Sequence, residues 1–271
     1  MSTPLVHLRD IHKRPAIFTL WEKIRNRKQV HWAMEYMAEA IGVGYALGII
    51  FAIGLFAGTS GGHFNPAVTI TMVIFKGFPK AKAVRYLVAQ ILGAYIASLV
   101  VYAQWKTLID VAEGILMEEG PAVFAATQFT PNGPPGAFGA YLLPGGNTIP
   151  RVFMNEFVNC TLIAMVIWGG LDPCNIAIPP AAAGPIIAFS YAAAIWGFGV
   201  PGVSLNAARD IGARLGVLTI WGMDAGGGGY SAISALVNIP ATLLGAAIYE
   251  VFFVDSDRGK KLSVTPKISS S

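Results

Sequence analysis

Charge is what this sequence has least of: Asp, Glu, Lys and Arg together make up 13% of its 271 residues, about half the share usual in soluble domains. With 54% of residues apolar and a mean hydropathy of +0.57, that scarcity excludes a disordered chain and a nucleic-acid-binding domain. A polytopic helical membrane protein remains. Cysteine is nearly absent as well. Cys160, inside an apolar run, and Cys174 have neither the number nor the spacing of a disulfide framework or a metal site, and are expected to fill space. Since no nucleophile–base pair or metal cluster stands out, neither an enzyme nor a bound cofactor is expected. No cleavable leader is visible, because the first 33 residues carry seven Lys/Arg and no long apolar core.

What is abundant is apolar length. A helix needs about 20 mainly apolar residues to cross a bilayer, and five stretches qualify: 33–58, 82–105, 152–171, 178–197 and 231–253. Two further apolar segments, 65–76 and 206–216, are too short to cross, and each begins at an asparagine. They are expected to be half-helices that stop at mid-membrane. Lys76, Lys80, Lys82 and Arg85 mark a cytoplasmic connection, whereas the acidic, Pro/Gly-rich stretch 107–150 is expected outside. Residues 1–32 form a basic segment whose stretch 16–32 has the spacing of an interfacial amphipathic helix. The channel domain is expected over 33–254, followed by a tail at 255–271. Gly44/Gly48 and Gly54/Gly58 have the spacing that permits close helix contact.

The chain also resembles itself. Gly61, Phe64, Asn65, Ala67 and Ile70 recur as Gly202, Leu205, Asn206, Ala208 and Ile211, and upstream Tyr36-Met37-Ala38-Glu39 echoes Phe153-Met154-Asn155-Glu156. Two copies, each ending in an Asn-headed half-helix, imply an inverted repeat. An N-cap asparagine can accept from the helix backbone with its carbonyl and still present its NH2, and Pro66 suits the first helical position because its missing N–H would be orphaned anyway. Two such helix starts meeting at mid-membrane bring two positive dipole ends together, and a water held there donates outward and cannot relay a proton.

Ser60-Gly61-Gly62-His63-Phe64-Asn65-Pro66-Ala67-Val68-Thr69 and Asn206-Ala207-Ala208-Arg209-Asp210 resemble the two signature loops of the aquaporin family, in its glycerol-conducting, fungal branch. The similarity runs over about residues 36–250. It implies a homotetrameric channel in the plasma membrane, embedded in the lipid bilayer, for glycerol, water and other small uncharged solutes. It assigns the pore asparagines to Asn65 and Asn206, the narrow filter to Tyr45, Ala194, Val203 and Arg209, and the glycerol-branch mark to Asp210. It also assigns support of the pore loops to His63, Pro66, Glu39 and Glu156. Small Ala194 opposite Arg209 means a wide, amphipathic filter. Ala207 departs from the expected proline, and Tyr45 from the usual Trp or Phe. Arg209-Asp210 also reads as a local ion pair at a helix start.

The repeat is not of equal length. Glu156 precedes Asn206 by 50 residues and Glu39 precedes Asn65 by 26, a shortfall of 24, about one span. The expected architecture is therefore an all-α membrane protein, an aquaporin-like inverted repeat with five full spans instead of six, the join lying near Gly42 to Tyr45. An odd number of spans places the basic N-terminus outside, against the positive-inside tendency. Glu39 would then sit too near the outer filter to brace the inner loop. Two other functions stay open: a non-conducting subunit that assembles with full-length relatives, and a secondary transporter, which would share inverted repeats and half-helices.

Overall fold

In the computed structural model of the chain, residues 46–198, 203–255 and 257 are described, and all regular secondary structure among them is helical. The order is α1 (Ala46–Ser60), α2 (Pro66–Lys76), α3 (Lys80–Glu118), α4 (Pro121–Thr127), α5 (Ile149–Leu171), α6 (Pro180–Phe198), α7 (Ala207–Trp221), α8 (Gly228–Leu236) and α9 (Asn238–Phe252), with single 3-10 turns at Pro134–Ala137 and Met223–Gly226. Among the described residues, α3, α5, α6 and the unit Gly228–Phe252 are long and apolar enough to cross a membrane. The first expected span is described only from Ala46 onward. Glu39, Tyr45, the basic segment 1–32 and the tail beyond 257 lie outside the described residues.

Why helices stop where they do follows from local chemistry. Helix α2 ends at Gly77, which takes the left-handed conformation (φ 67°) that glycine adopts without a Cβ penalty. Helix α7 was expected to end at 216 but runs to Trp221, because the apolar run continues until Gly222 (φ 80°). The last span is two helices end to end. Pro240 has no N–H for the helical ladder, and near this joint the Asn238 side chain donates to the Ser234 carbonyl at 2.9 Å.

The largest departure is α3. Its expected span ended at 105, yet it continues unbroken to Glu118, 39 residues in all, or about 58 Å at the α-helical rise. A bilayer with headgroups is about 40–45 Å thick, so the far end stands clear of lipid. The segment 106–118 holds no proline, and Lys106 bridges to Asp110 one turn on at 2.7 Å, an arrangement that supports an exposed helix.

Packing sets the half-helices between the spans. Helix α7 lies on α3 through Gly212 and Gly216, where a Cβ would collide with Ala94 and Ser98. Helix α9 approaches α5 through Gly245, opposite Thr161 and Ala164. The expected contact at Gly54/Gly58 is not made among the described residues, since a side chain at either position would meet open space. The core gathers Val68, Ile163, Trp168, Tyr191, Ala194, Leu205 and Ala246, while Leu55 (70% exposed) and Trp196 (79%) point outward. Apolar side chains on the outside as well as inside suit a lipid environment.

Candidate functional site

Asn65 and Asn206 form the centre. Asn65 (φ −148°) caps α2 by accepting the Ala67 N–H at 3.0 Å. Asn206 (φ −153°) caps α7 by accepting from Ala208 N–H at 2.9 Å and Arg209 N–H at 3.2 Å. Loss of proline at 207 leaves the second cap formed. Each asparagine then crosses to the other loop: Asn65 Nδ2 donates to the Leu205 carbonyl at 3.1 Å, and Asn206 Nδ2 donates to the Phe64 carbonyl at 2.8 Å. The accepting residues are the ones just before each asparagine, and both hold positive φ, 48° at Phe64 and 60° at Leu205. A non-glycine residue there costs about 1–3 kcal/mol, and the crossed bonds are what hold it. An amide NH2 has two donors, so one N–H of each asparagine is spent on the other loop and the second remains.

The two loops are braced differently. Glu156 on α5, 1% exposed, accepts the backbone N–H groups of Ser204 and, at 3.0 Å, Leu205. In the first loop, Tyr86 donates to the Ser60 carbonyl at 2.7 Å, and the Ser60 hydroxyl accepts from Gly62 N–H at 3.1 Å. Gln90 donates to the Thr69 hydroxyl at 3.0 Å, which donates to the Asn65 carbonyl at 3.2 Å. His63 Nδ1 also reaches that hydroxyl at 3.2 Å, and its ring packs on Phe78 and Tyr86. Pro66 opens α2 and is buried.

A cavity reaches this centre, lined by Gly62, His63, Asn65, Asn206, Tyr191 and the Ile49 side of α1. Of the expected filter, Ala194 and Val203 are buried in one apolar cluster, and Arg209 stands in the first turn of α7. None of the three lines this cavity. Asp210 pairs with Arg214 one turn on at 3.4 Å and is 1% exposed. Sequence reasoning missed Arg214. Its guanidinium donates to the Ala140 carbonyl at 2.6 Å and lies 4.8 Å from the centre of the Tyr141 ring. Gly139 and Gly227 leave room for it, since a Cβ would come within 2.8 and 2.6 Å. Tyr141 donates to the Ala225 carbonyl at 2.8 Å, and burial holds its hydroxyl above the usual tyrosine pKa. Arg214 thus ties the connection between α4 and α5 to the helix that carries Arg209. Tyr191 was missed as well, because a tyrosine in an apolar span reads as core until its neighbours are known.

Among the described residues no group of three or more His, Cys, Asp or Glu side chains could hold a metal ion. Compared with known proteins, residues 17–248 match the major intrinsic protein family. The chain is 56% identical to Aquaporin-3 of Laccaria bicolor over 290 aligned positions, covering 95% of this chain and 87% of that protein. That alignment is longer than the 271-residue chain, so the relative carries residues with no counterpart here. A probable aquaglyceroporin-2 of Gibberella zeae is 33% identical over 79% of this chain and 62% of its own length. In fold, the chain is similar to the crystal structure of the aquaglyceroporin from Plasmodium falciparum, with a TM-score of 0.63 at 18% identity, over 81% of this chain and 94% of that one.

Proposed function

The chain belongs to the major intrinsic protein family, and from that premise we propose that it is a passive channel for glycerol, water and other small uncharged solutes, working as a homotetramer in the plasma membrane. As a family member it is a multi-pass membrane channel for water or small solutes, and it is not read as an enzyme. The observation that carries the glycerol reading is the crossed pair Asn65–Leu205 and Asn206–Phe64 at the end of a cavity with apolar walls at Ile49, Ile53 and Ile187. A polyol offers hydroxyls on one side and C–H groups on the other. The remaining amide N–H groups meet the first, and the isoleucines meet the second.

Charge selectivity in this reading comes from the site's own field. Two helix N-termini, each equivalent to about +0.5 charge, face the solute from opposite sides, and Arg209 adds a full positive charge on the first turn of α7. Cations are repelled by all three. Neutral solutes take their donors without that penalty. Ala194 keeps the filter wide, with Tyr45 and Val203 as its apolar wall.

The shortened first repeat bears on rate. A wall that lacks about one span leaves lipid beside backbone groups that need partners, and the unmatched residues of the Laccaria relative support a gap of this kind. The test is stopped-flow glycerol uptake by proteoliposomes, comparing the 271-residue chain with a form carrying about 24 added residues, the length of one span, between Gly42 and Tyr45. The chain alone is expected to conduct slowly and the restored form faster, both indifferent to an uncoupler. Equal rates would reject the gap; no uptake by either would reject the channel. The same gap favours a second reading, a non-conducting subunit, which predicts that co-expression with a longer relative changes the relative's flux although this chain alone has none.

A further inference from the structure

Three side chains of α6 lie on one stripe, at the spacing i, i+4, i+7 that returns to the same helix face: Ile187, Tyr191 and Ala194. The first two line the cavity. Ala194, the small member of the expected outer filter, is buried 4% exposed in the same apolar cluster as Tyr191 and Val203. Tyr191 therefore stands about 4.5 Å from Ala194 along the helix, at the depth of the asparagine pair. Whatever width Ala194 opens in the filter, the next residue on the stripe takes back with a phenol ring.

The hydroxyl has a place of its own. One Asn65 N–H is committed to Leu205, and Tyr191 lines the same cavity as Asn65 and Asn206. An amide N–H can only donate, whereas a phenol both accepts and donates. Lining the cavity, the hydroxyl can offer it a donor in addition to the second N–H of each asparagine. The same cavity is lined by Ile49 and Ile53 of α1 and Val68 of α2, none of which offers a hydrogen bond.

We propose that Tyr191 is a specificity-determining residue of this channel: its ring sets the size limit at the asparagine pair, and its hydroxyl supplies a donor to the passing polyol. The proposal deepens the channel reading and rests on it. It places the size filter for polyols inward of the Arg209 filter, on a residue that spacing from the asparagine motifs alone does not single out.

The experiment measures water, glycerol and erythritol permeability of proteoliposomes holding the full chain, Tyr191→Ala or Tyr191→Phe. Because one methylene in a closed apolar site discriminates about 10–200-fold, Tyr191→Ala is expected to raise the erythritol-to-glycerol ratio about tenfold and to raise glycerol relative to water. Tyr191→Phe keeps the ring, so it keeps the erythritol-to-glycerol ratio but lowers glycerol flux about fivefold, as one lost hydrogen bond would. A conducting Ala variant with both ratios unchanged would overturn the size limit, and a Phe variant with undiminished glycerol flux would overturn the donor role. If the 271-residue parent shows no protein-dependent flux, Tyr191 is decided by thiol labelling, and the channel reading is decided separately by the restored form. In a Cys174→Ser background, Tyr191→Cys should react with a small water-soluble methanethiosulfonate and be slowed by glycerol; no reaction, or reaction indifferent to glycerol, would show that position 191 does not face the solute path.

Discussion

Replacing Glu156 with glutamine tests how much of the centre depends on one carboxylate. Glu156 receives two backbone N–H groups, from Ser204 and Leu205, in a site that is 1% exposed. Glutamine keeps one acceptor and turns the other into a donor that faces an N–H. One bond to a charged acceptor is lost, about 1.5–3 kcal/mol, and one buried N–H is left unpaired, a further ~1–3 kcal/mol. Part of this is recovered by loop relaxation, so a net loss of about 2–4 kcal/mol is expected, a large share of the ~5–15 kcal/mol that holds a folded domain together. The relaxation itself has a specific direction. Leu205 is at φ 60°, and once its N–H is released it can leave that strained conformation, turning its carbonyl away from Asn65. The variant should therefore lose thermal stability in detergent and, where still folded, show a lower glycerol-to-water permeability ratio together with a measurable cation leak. Glutamine at 156 with the parent's melting temperature and the parent's selectivity would refute the reasoning, since both bonds would then be dispensable.

Three further outcomes are expected. Arg209→Ala removes the positive charge beside the half-helix start, so cation leak in proteoliposomes should rise at least about tenfold, the effect of roughly 1.4 kcal/mol, with an unchanged leak counting against the filter role. Ala194→His narrows the wall opposite Arg209 and should lower glycerol flux by about tenfold or more with water nearly unchanged; equal loss of both would mean that 194 is not in the filter. Arg214→Met keeps the stem and removes the charge, leaving Asp210 buried without its main partner, so a stability loss of about 3–5 kcal/mol is expected; faster proteolysis of the 138–142 connection would accompany it, and a variant as stable as the parent would deny Arg214 its tying role.

The half-helices were legible because their determinants are local. Asn65, Pro66 and the apolar run after them name a capped helix without reference to anything distant, and the observed Pro66–Lys76 lies within one residue of expectation. Glu156 was singled out by the family resemblance, and the two N–H groups it accepts, from Ser204 and Leu205, belong to a loop 48 and 49 residues away that its own helix does not reveal. The extension of α3 was hidden by its charges: Asp110, Glu113 and Glu118 look like a loop, yet Glu113 accepts from Gln128 at 2.6 Å and from the Trp221 indole, partners that no local window contains. Arg214 and Tyr191 were invisible for the same reason. One needs the carbonyl of Ala140, 74 residues away, and the other needs the cavity whose wall it joins. The crossed asparagine bonds lay one step beyond the motif, for each motif shows an outward NH2 but not the carbonyl that receives it.

Those crossed bonds also impose an order in time. Asn65 and Leu205 are 140 residues apart, and at a synthesis rate of about 5–20 residues per second the partner emerges roughly 7–28 s later. Throughout that interval the first half-helix exists without the second, its cap amide and the Phe64 carbonyl lacking the groups that later satisfy them. Such groups are not tolerated in bare lipid, so the nascent first half has to wait in the company of water or of the insertion machinery. Maturation of this protein is then gated by its last third. A ribosome stalled before residue 206 leaves a membrane-inserted but unlocked intermediate, and quality control that senses exposed polar groups in the bilayer has a window of seconds in which to act on it.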